Sequence, residues 1–245
     1  MNAVERVLRN LVIANRILAN EGVVDAYGHV SVRHPENPNR YFLSRSRSPE
    51  LVEVSDIIEF DLQSVPVSDK RQPYLERFIH GAIYAARPEI NAVVHSHADD
   101  VLAFGVTKSV PMRCVVHTAG CMGYHVPVWD IRDKFGDTNL LVTNNDQGND
   151  LAATLAGNNV ALMSAHGFAA AGRSLAEVVR IGVYLPKNAK VYSEALRMTN
   201  YQVDKVRLLT EGEVKMKGVP NPDAPEIMRA WEYWAKRAGV GELLA

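Results

Sequence analysis

Apolar residues at helical spacing open the chain. Between residues 2 and 20 they recur three and four positions apart, and Gly22 follows as a stop signal. The apolar positions are Val4, Val7, Leu8, Leu11, Ala14, Ile17 and Leu18. This pattern predicts an amphipathic helix with one face turned to a core.

Short apolar runs bounded by turn residues come next and predict strands of one sheet. They cover residues 29–33, 41–43 and 57–60. A second helix is predicted over residues 74–86, since Pro88 marks its end, and an apolar strand follows over residues 92–97.

The second half of the chain predicts a helix over 146–156 and a buried strand over 159–165. Ser174 and Glu177 have the spacing of a capping box, so a helix is expected to begin there and to reach about Leu209, bent or interrupted at Pro186. A final helical segment carries Trp231 and Trp234. Strands interspersed with helices, without a long linker, indicate one layered α/β domain.

Composition excludes several classes of partner. The formal net charge is −1 and charged residues make up 22% of the chain, so no global field attracts nucleic acid or an anionic membrane. Two cysteines are too few for a disulfide framework, and no apolar run approaches the roughly 18 residues of a membrane span. We therefore expect a cytoplasmic protein.

Histidines at the ends of two predicted strands give the sharpest chemical signal. Residues two apart in a strand share a face, so the rings of His95 and His97 can converge on one ion. His166 also ends an apolar run, and Gly167 after it permits a sharp turn. Three imidazoles with open coordination positions are typical of a catalytic metal site. Spacing alone is also compatible with ordinary surface or core histidines, which are the commoner case.

Glu76, His80 and Tyr84 follow one another at steps of four in the second predicted helix, so the three can share a face beside the metal. A partly buried carboxylate there would act as an acid or base. The alternative is an exposed glutamate that the helix dipole favours near an amino terminus.

The most cationic short segment is the run from Ser44 to Ser48. Its two arginines and interleaved hydroxyls suit bidentate capture of a carboxylate or phosphate, although a solvated loop has the same composition. Gly28 directly before the first strand allows close approach of the backbone to a ligand.

Taken together, these segments resemble the class II aldolase/adducin family over nearly all of residues 5 to 205. The matching pieces are residues 28–33, 76–80, 87–88, 93–97 and 166–167, with Gly172 beyond. The resemblance implies a three-layer α/β/α fold with a mixed, largely antiparallel sheet, and a homotetramer with active sites between neighbouring subunits. It implies that His95, His97 and His166 are the metal ligands and that Glu76 is the acid/base or an additional metal contact. Residues 1–210 would form the catalytic domain, and 211–245 a C-terminal extension packed on it or on a neighbouring subunit.

Departures from the sugar-phosphate members indicate the subclass. Those members usually carry Gly-Asn where this chain has Gly28-His29, and two serines where Tyr74-Leu75 precede the glutamate. Losing these donors removes much of a phosphate cradle. The pattern is similar to the decarboxylase branch, which includes decarboxylases of a dihydroxyphthalate and of a hydroxypyridine dicarboxylate.

The resemblance therefore implies metal-dependent, non-oxidative decarboxylation of a hydroxylated aromatic or heteroaromatic acid, with one Mn²⁺ or Zn²⁺ per subunit. The expected substrate-binding residues are His29, Ser31, Arg33, Ser44, Arg45, Ser46, Arg47 and His80. Two alternatives stay open: a class II aldolase acting on a non-phosphorylated hydroxy-keto acid, and a non-catalytic, adducin-like interaction domain.

Overall fold

A seven-stranded mixed sheet forms the middle layer of the computed structural model, which describes residues 1–218 and 221–244. Its strands are β1 (His29–Arg33), β2 (Arg40–Ser44), β3 (Ile57–Asp61), β4 (Ala92–Ser96), β5 (Val128–Trp129), β6 (Val160–Met163) and β7 (Gly167–Gly172). The order across the sheet is β3-β2-β1-β4-β7-β6-β5, and all neighbours pair antiparallel except β5 and β6. The predicted mixed, largely antiparallel sheet is confirmed.

Helices cover both faces of this sheet. They are α1 (Ala3–Asn20), α2 (Arg77–Ala86), α3 (Asp99–Val106), α4 (Arg132–Phe135), α5 (Asn145–Leu155), α6 (Leu175–Met198), α7 (Glu211–Met216) and α8 (Pro225–Arg237). Short 3-10 turns occur at Pro49–Leu51, Val54–Asp56, His117–Met122, Val203–Lys205 and Gly241–Leu244. Among the described residues, no helix is both long enough and apolar enough to cross a bilayer.

Two apolar cores, one on each face of the sheet, complete the α/β/α sandwich. Helices α1, α3, α6 and α8 bury one face, where Val30 and Val94 point. Helices α2 and α5 bury the other, together with Val93. Because side chains alternate along a strand, His29 and His95 point to the same side as Val93 and face the α2 layer. The period-two pattern thus sends the polar residues of β1 and β4 toward α2.

Helix α6 is not interrupted at Pro186, and it ends earlier than predicted. The helix continues through Pro186 and is neither broken nor interrupted there. Flanking Leu185 and Ala189 are fully buried, so packing outweighs the one missing backbone hydrogen bond. The predicted end near Leu209 is wrong, because the helix stops at Met198 and the left-handed residues Asn200 and Tyr201 reverse the chain.

The start of α6 also departs from a reciprocal capping box. The Ser174 side chain accepts a hydrogen bond from the Glu177 backbone N–H, as the spacing predicts. The Glu177 carboxylate, however, accepts from the backbone N–H of Arg173 at 2.7 Å, one residue before the cap.

Strand β7 has no counterpart among the predicted elements. Its sequence, Gly-Phe-Ala-Ala-Ala-Gly, is poor in the β-branched residues that signal a strand. Small residues are required here because helix α6 packs closely on them: a Cβ added to Gly172 would lie 2.9 Å from the backbone nitrogen of Val178. Close packing, which local sequence does not reveal, explains the missed strand.

The C-terminal segment packs on the main body of the protein. Trp231 and Trp234 of α8 lie in the same core as α1 and α6. A boundary at residue 210 stays a prediction.

Glycine at position 148 lets α5 lie directly on α2, whose start carries Glu76. A Cβ there would be 2.6 Å from the carbonyl oxygen of Phe78 and 3.1 Å from the Cβ of Ala82. We expect Gly148→Ala to lower the free energy of unfolding by about 1–3 kcal/mol, because the helices must move apart. Urea denaturation followed by circular dichroism measures this change.

Gly157 provides the matched control, since a Cβ there meets nothing within 4 Å. Gly157→Ala should leave stability unchanged or raise it by up to about 1 kcal/mol through the unfolded state. Equal destabilisation by both variants would contradict the close α2–α5 contact.

Candidate active site

One carboxylate and three imidazoles meet at the end of the central strands, on the α2 side of the sheet. The ligand atoms that Glu76, His95, His97 and His166 offer lie within 4.8 Å of one another. They come from the start of α2, the end of β4 and the turn between β6 and β7. The structure therefore brings together the four residues that the sequence singled out for metal chemistry.

Backbone pairing orients the ring of His95. Its Nδ1 lies 3.0 Å from the carbonyl oxygen of Phe168 on the neighbouring strand β7. A carbonyl only accepts, so Nδ1 carries the proton and the Nε2 of a neutral ring keeps a free lone pair. That Nε2 lies 2.9 Å from the Nε2 of His97, so both rings aim at one point.

A tight hairpin turn carries His166 into the group. Ala165 adopts a left-handed φ of 55°, a strained conformation for a residue with a Cβ. Gly167 is needed for a different reason from the predicted sharp turn: a Cβ there would be 2.1 Å from the carbonyl oxygen of Ser96. The turn thus relies on Ala165 for its bend and on Gly167 for contact with β4.

The ring nitrogens of His166 lack the hydrogen-bond partners that buried polar atoms usually have. Both Nδ1 and Nε2 are buried and neither meets the criteria for a hydrogen bond to a described residue, although Nε2 lies 3.4 Å from the Glu76 carboxylate. Buried polar atoms without partners are rare in folded proteins and call for an explanation such as a bound ion. Three imidazoles and one carboxylate are ligands that divalent transition metals accept, so these residues fit such a cation.

Helix α2 begins at Arg77, three residues later than predicted, so Glu76 is the residue directly before the helix and not part of its first turn. Its Oε1 accepts a hydrogen bond from the backbone N–H of Val142 at 3.0 Å, and its Oε2 is 3.4 Å from the Nε2 atoms of His95 and His166. Burial favours the neutral acid, but the adjacent imidazoles outweigh it and hold the pKa of Glu76 well below its usual range. The carboxylate is therefore ionised at neutral pH.

Burial also keeps a ligand imidazole neutral. Desolvation, followed by the charges of His95 and His166, lowers the pKa of His97 to about 4. At neutral pH the ring therefore carries no charge and has a lone pair to give to a cation.

A cleft of about 340 Å³ opens beside the four residues. It is lined by Ala26, Tyr27, Gly28, His29, Ser46, Arg47, Ser48, Tyr74, Leu75, Glu76, His97 and Leu141. Tyr27 and Leu75 are 71% and 56% exposed and stand at its surface. Most of the wall is apolar or aromatic, which suits a small, flat organic molecule.

Only some of the predicted substrate-binding residues of the cationic loop line this cleft. Ser46 and Arg47 line it, whereas the Ser44 hydroxyl donates to the Arg45 carbonyl at 2.7 Å. The guanidinium of Arg45 bonds to Asp56 at 2.7 Å, and the Nε of Arg47 lies 3.3 Å from the same carboxylate. Asp56 therefore fixes both arginines, and of the two it is Arg47 that lines the cleft.

His29 and His80 lie in a buried chain of hydrogen bonds. The Nδ1 of His29 is 2.6 Å from the Nε2 of His80, and the Nδ1 of His80 is 2.6 Å from the Ser31 hydroxyl. The chain ends at Tyr84, 2.7 Å from Ser31. His80 and Tyr84 thus share a helical face as predicted, but they meet β1, while Glu76 turns to the histidine group.

Arg33 lies at the other end of β1 from His29. All three guanidinium nitrogens donate to backbone carbonyls, those of Pro38, Tyr84, Arg87 and Ile90. Its cation also sits 4.8 Å from the ring centre of Tyr84. Arg33 anchors Tyr84 and lies outside the cleft.

Several groups at the site carried no signal in the sequence. The apolar walls formed by Tyr27 and Leu141, and the backbone N–H of Val142, come from loops with no periodic pattern. Only the position of Tyr74 and Leu75 directly before Glu76 hinted at a wall in place of the serines of the sugar-phosphate members.

Comparison with known proteins agrees with this arrangement. Residues 9–193 match the model of the Class II Aldolase and Adducin N-terminal domain. The chain is 32% identical to decarboxylase tropJ of Talaromyces stipitatus, over 96% of this chain and 95% of that protein. It is 29% identical to the 3,4-dihydroxyphthalate decarboxylase of Arthrobacter keyseri, over 69% of this chain and 70% of that protein.

The fold has close counterparts among solved structures. An aldolase II superfamily protein from Pseudomonas syringae superposes with a TM-score of 0.78 at 19% identity, covering 97% of this chain and 94% of that one. With the family model matched over most of its length, this chain belongs to the class II aldolase/adducin family.

Proposed function

We propose that this protein is a metal-dependent carboxy-lyase that removes CO2 from a hydroxylated aromatic or heteroaromatic acid. The observation that carries the proposal is the convergence of Glu76, His95, His97 and His166 beside a cleft walled by apolar and aromatic side chains. Relatives named as decarboxylases, one matching almost the whole chain, support a carbon–carbon lyase of the carboxy-lyase type.

Each side of the proposed cleft suits one part of such a substrate. The ring would lie between the apolar residues Tyr27, Leu75 and Leu141, while the guanidinium of Arg47 would hold a carboxylate. When bound by the three histidines, a divalent cation supplies positive charge that stabilises an anionic oxygen next to the departing carboxylate.

Decarboxylation leaves the electron pair of the broken carbon–carbon bond on the ring carbon, which must gain one proton. Glu76 is the proposed group that positions this proton: its carboxylate holds a solvent water, which gives one proton to the ring carbon, and the hydroxide that remains combines with the released CO2 as hydrogencarbonate. Its low pKa makes the ionised carboxylate the resting form, ready to accept a hydrogen bond from that water. Val142 holds its other oxygen in place.

The remaining parts of the proposal follow from the family resemblance. We propose one Mn²⁺ or Zn²⁺ per subunit and a cytoplasmic homotetramer with active sites at subunit interfaces. Aldol cleavage of a hydroxy-keto acid is the competing reaction, and it differs in giving two organic fragments and no CO2.

Metal content tests the histidine group. The protein dialysed against Zn²⁺ or Mn²⁺ should hold about one ion per chain by mass spectrometry of the metal. Replacing His95, His97 or His166 singly with Ala should weaken binding beyond the roughly 10–100-fold typical of losing an outer partner. His125→Ala, which changes an exposed histidine outside the group, should bind as the parent does. Full metal binding by all three variants would refute the site.

Glu76→Gln tests proton handling, because the amide has nearly the same shape but cannot exchange a proton readily. We expect turnover to fall at least ~10²-fold while the fold and most of the metal remain. In heavy water, the parent enzyme should place a single deuterium at the carbon vacated by CO2. Glu59→Gln, which alters a carboxylate paired with Arg40 on the far strands, should keep parental turnover. A parental rate in Glu76→Gln would remove this residue from the chemistry.

Arg47 and Arg45 form a matched pair for substrate recognition, since both contact Asp56 but only Arg47 lines the cleft. Arg47→Ala should raise KM for a carboxylated substrate about ten-fold or more, the scale of one lost charge-assisted hydrogen bond. Arg45→Ala should change KM less. Equal effects would contradict the role given to Arg47 alone, and efficient cleavage of fuculose or ribulose phosphates with neither arginine affecting affinity would favour a sugar-phosphate enzyme.

A further inference from the structure

The buried chain from Tyr84 to His29 has a direction, although its members can each donate or accept. A hydroxyl and a neutral imidazole have both roles, so the distances alone leave two opposite arrangements of protons. In one arrangement His29 offers an N–H to the cleft, and in the other it offers a lone pair.

The buried end of the chain selects between them. The hydroxyl oxygen of Tyr84 lies 2.7 Å from the Ser31 oxygen and also accepts from the Val93 backbone, and the side chain is 1% exposed, so Ser31 is the acceptor that the phenolic hydrogen has among the described residues. If Ser31 donated to Tyr84, the phenolic hydrogen would stay buried without an acceptor. A buried donor without an acceptor costs more free energy than an oxygen lone pair without a donor. Tyr84 therefore donates to Ser31. Burial raises the pKa of Tyr84 well above its usual range, so this hydrogen is present.

The remaining protons follow in order. Ser31 donates to the Nδ1 of His80, which must then carry its own proton on Nε2. His80 donates from Nε2 to the Nδ1 of His29, so the single proton of a neutral His29 resides on its Nε2. Because the Nδ1 of each ring accepts a hydrogen bond in this arrangement, neither ring can carry a second proton, so both rings are neutral.

The open end of the chain lies in the cleft. His29 lines it, and no described residue makes a hydrogen bond to its Nε2. We propose that His29 presents a neutral, directionally fixed N–H donor to an anionic oxygen of the substrate, and that Ser31 and His80 are positioning residues that set this donor. This inference rests on the proposed function for the identity of the oxygen, which would belong to the carboxylate or the neighbouring hydroxyl.

A neutral N–H donor selects an anionic oxygen by hydrogen bonding and carries no positive charge of its own. A lone pair on His29 would repel an anionic oxygen, whereas an N–H binds it without adding a charge beside the metal ligands. Together with Arg47, it would give the cleft two donors for a carboxylated substrate.

Nuclear magnetic resonance of ring nitrogens tests the direction without requiring turnover. In zinc-loaded protein carrying ¹⁵N-labelled histidine, long-range proton–nitrogen spectra distinguish the two neutral tautomers, and loss of signals in His29→Gln and His80→Gln assigns them. We expect both rings as the Nε2–H form at neutral pH. A His29 protonated on Nδ1, or on both nitrogens, would overturn the proposal.

Ser31→Ala tests the positioning role. Removing the hydroxyl leaves His80 without the donor that fixes its tautomer, so His29 should become a mixture of both forms. Binding of salicylate, used as a probe with adjacent hydroxyl and carboxylate groups, should weaken about 3–10-fold by calorimetry. Tyr41→Phe is the matched control, because this buried hydroxyl bonds to Ser64 and the Arg77 carbonyl outside the chain. An unchanged tautomer and affinity in Ser31→Ala would refute the role of the chain.

The outcomes separate this inference from the proposed reaction. If His29 is the Nε2–H form and salicylate binding responds to Ser31→Ala, the donor stands even when no acid releases CO2. If CO2 is released but His29 is protonated on Nδ1, the reaction stands and the donor is wrong.

Discussion

The antiparallel pairing of β4 with β7 is the constraint on which the site depends. It places the Phe168 carbonyl against the Nδ1 of His95 and so frees the opposite nitrogen of that ring. The same pairing brings Gly167 within contact of the Ser96 backbone and carries His166 up to β4. Backbone hydrogen bonds of a sheet are far stiffer than side-chain rotamers, so the distances between these imidazoles come from the fold itself.

The α2 layer adds what the sheet lacks. Glu76 stands at the start of the helix and brings the one carboxylate, while His80 and Tyr84, one and two turns later, reach β1 instead. A single short helix thus serves two networks, one ionic and one neutral. Tight packing of α5 on α2 at Gly148 fixes the position of the helix that carries His80 and Tyr84 and follows Glu76.

The sequence predicted the parts of this site that depend on local pattern. The spacing of His95 and His97 along a strand determines that both face one side, and no tertiary information is needed for that step. The first helix and a layered α/β domain could be predicted for the same reason, whereas the mixed, largely antiparallel sheet was implied by the family resemblance. The position of His166 relative to β4 could not, because β7 is built of alanine and glycine and has no strand signature.

Long-range contacts account for the other differences. Arg33 and Arg45 looked equivalent to Arg47 as anion-binding groups, yet backbone carbonyls surround the first and Asp56 holds the second away from the cleft. Nothing near Pro186 in sequence shows that buried neighbours would carry the helix through it. Burial and partner identity, which decided each case, are properties of the assembled fold.

The order of these segments along the chain has a consequence for biosynthesis. The histidine group needs β7, which ends at Gly172, so the N-terminal two-thirds of the nascent chain can emerge before the group exists. Pairs that join distant segments form late, since loop closure must precede them. During translation, His95 and His97 would therefore leave the ribosome before His166. Binding of a cation by all three would follow completion of the sheet.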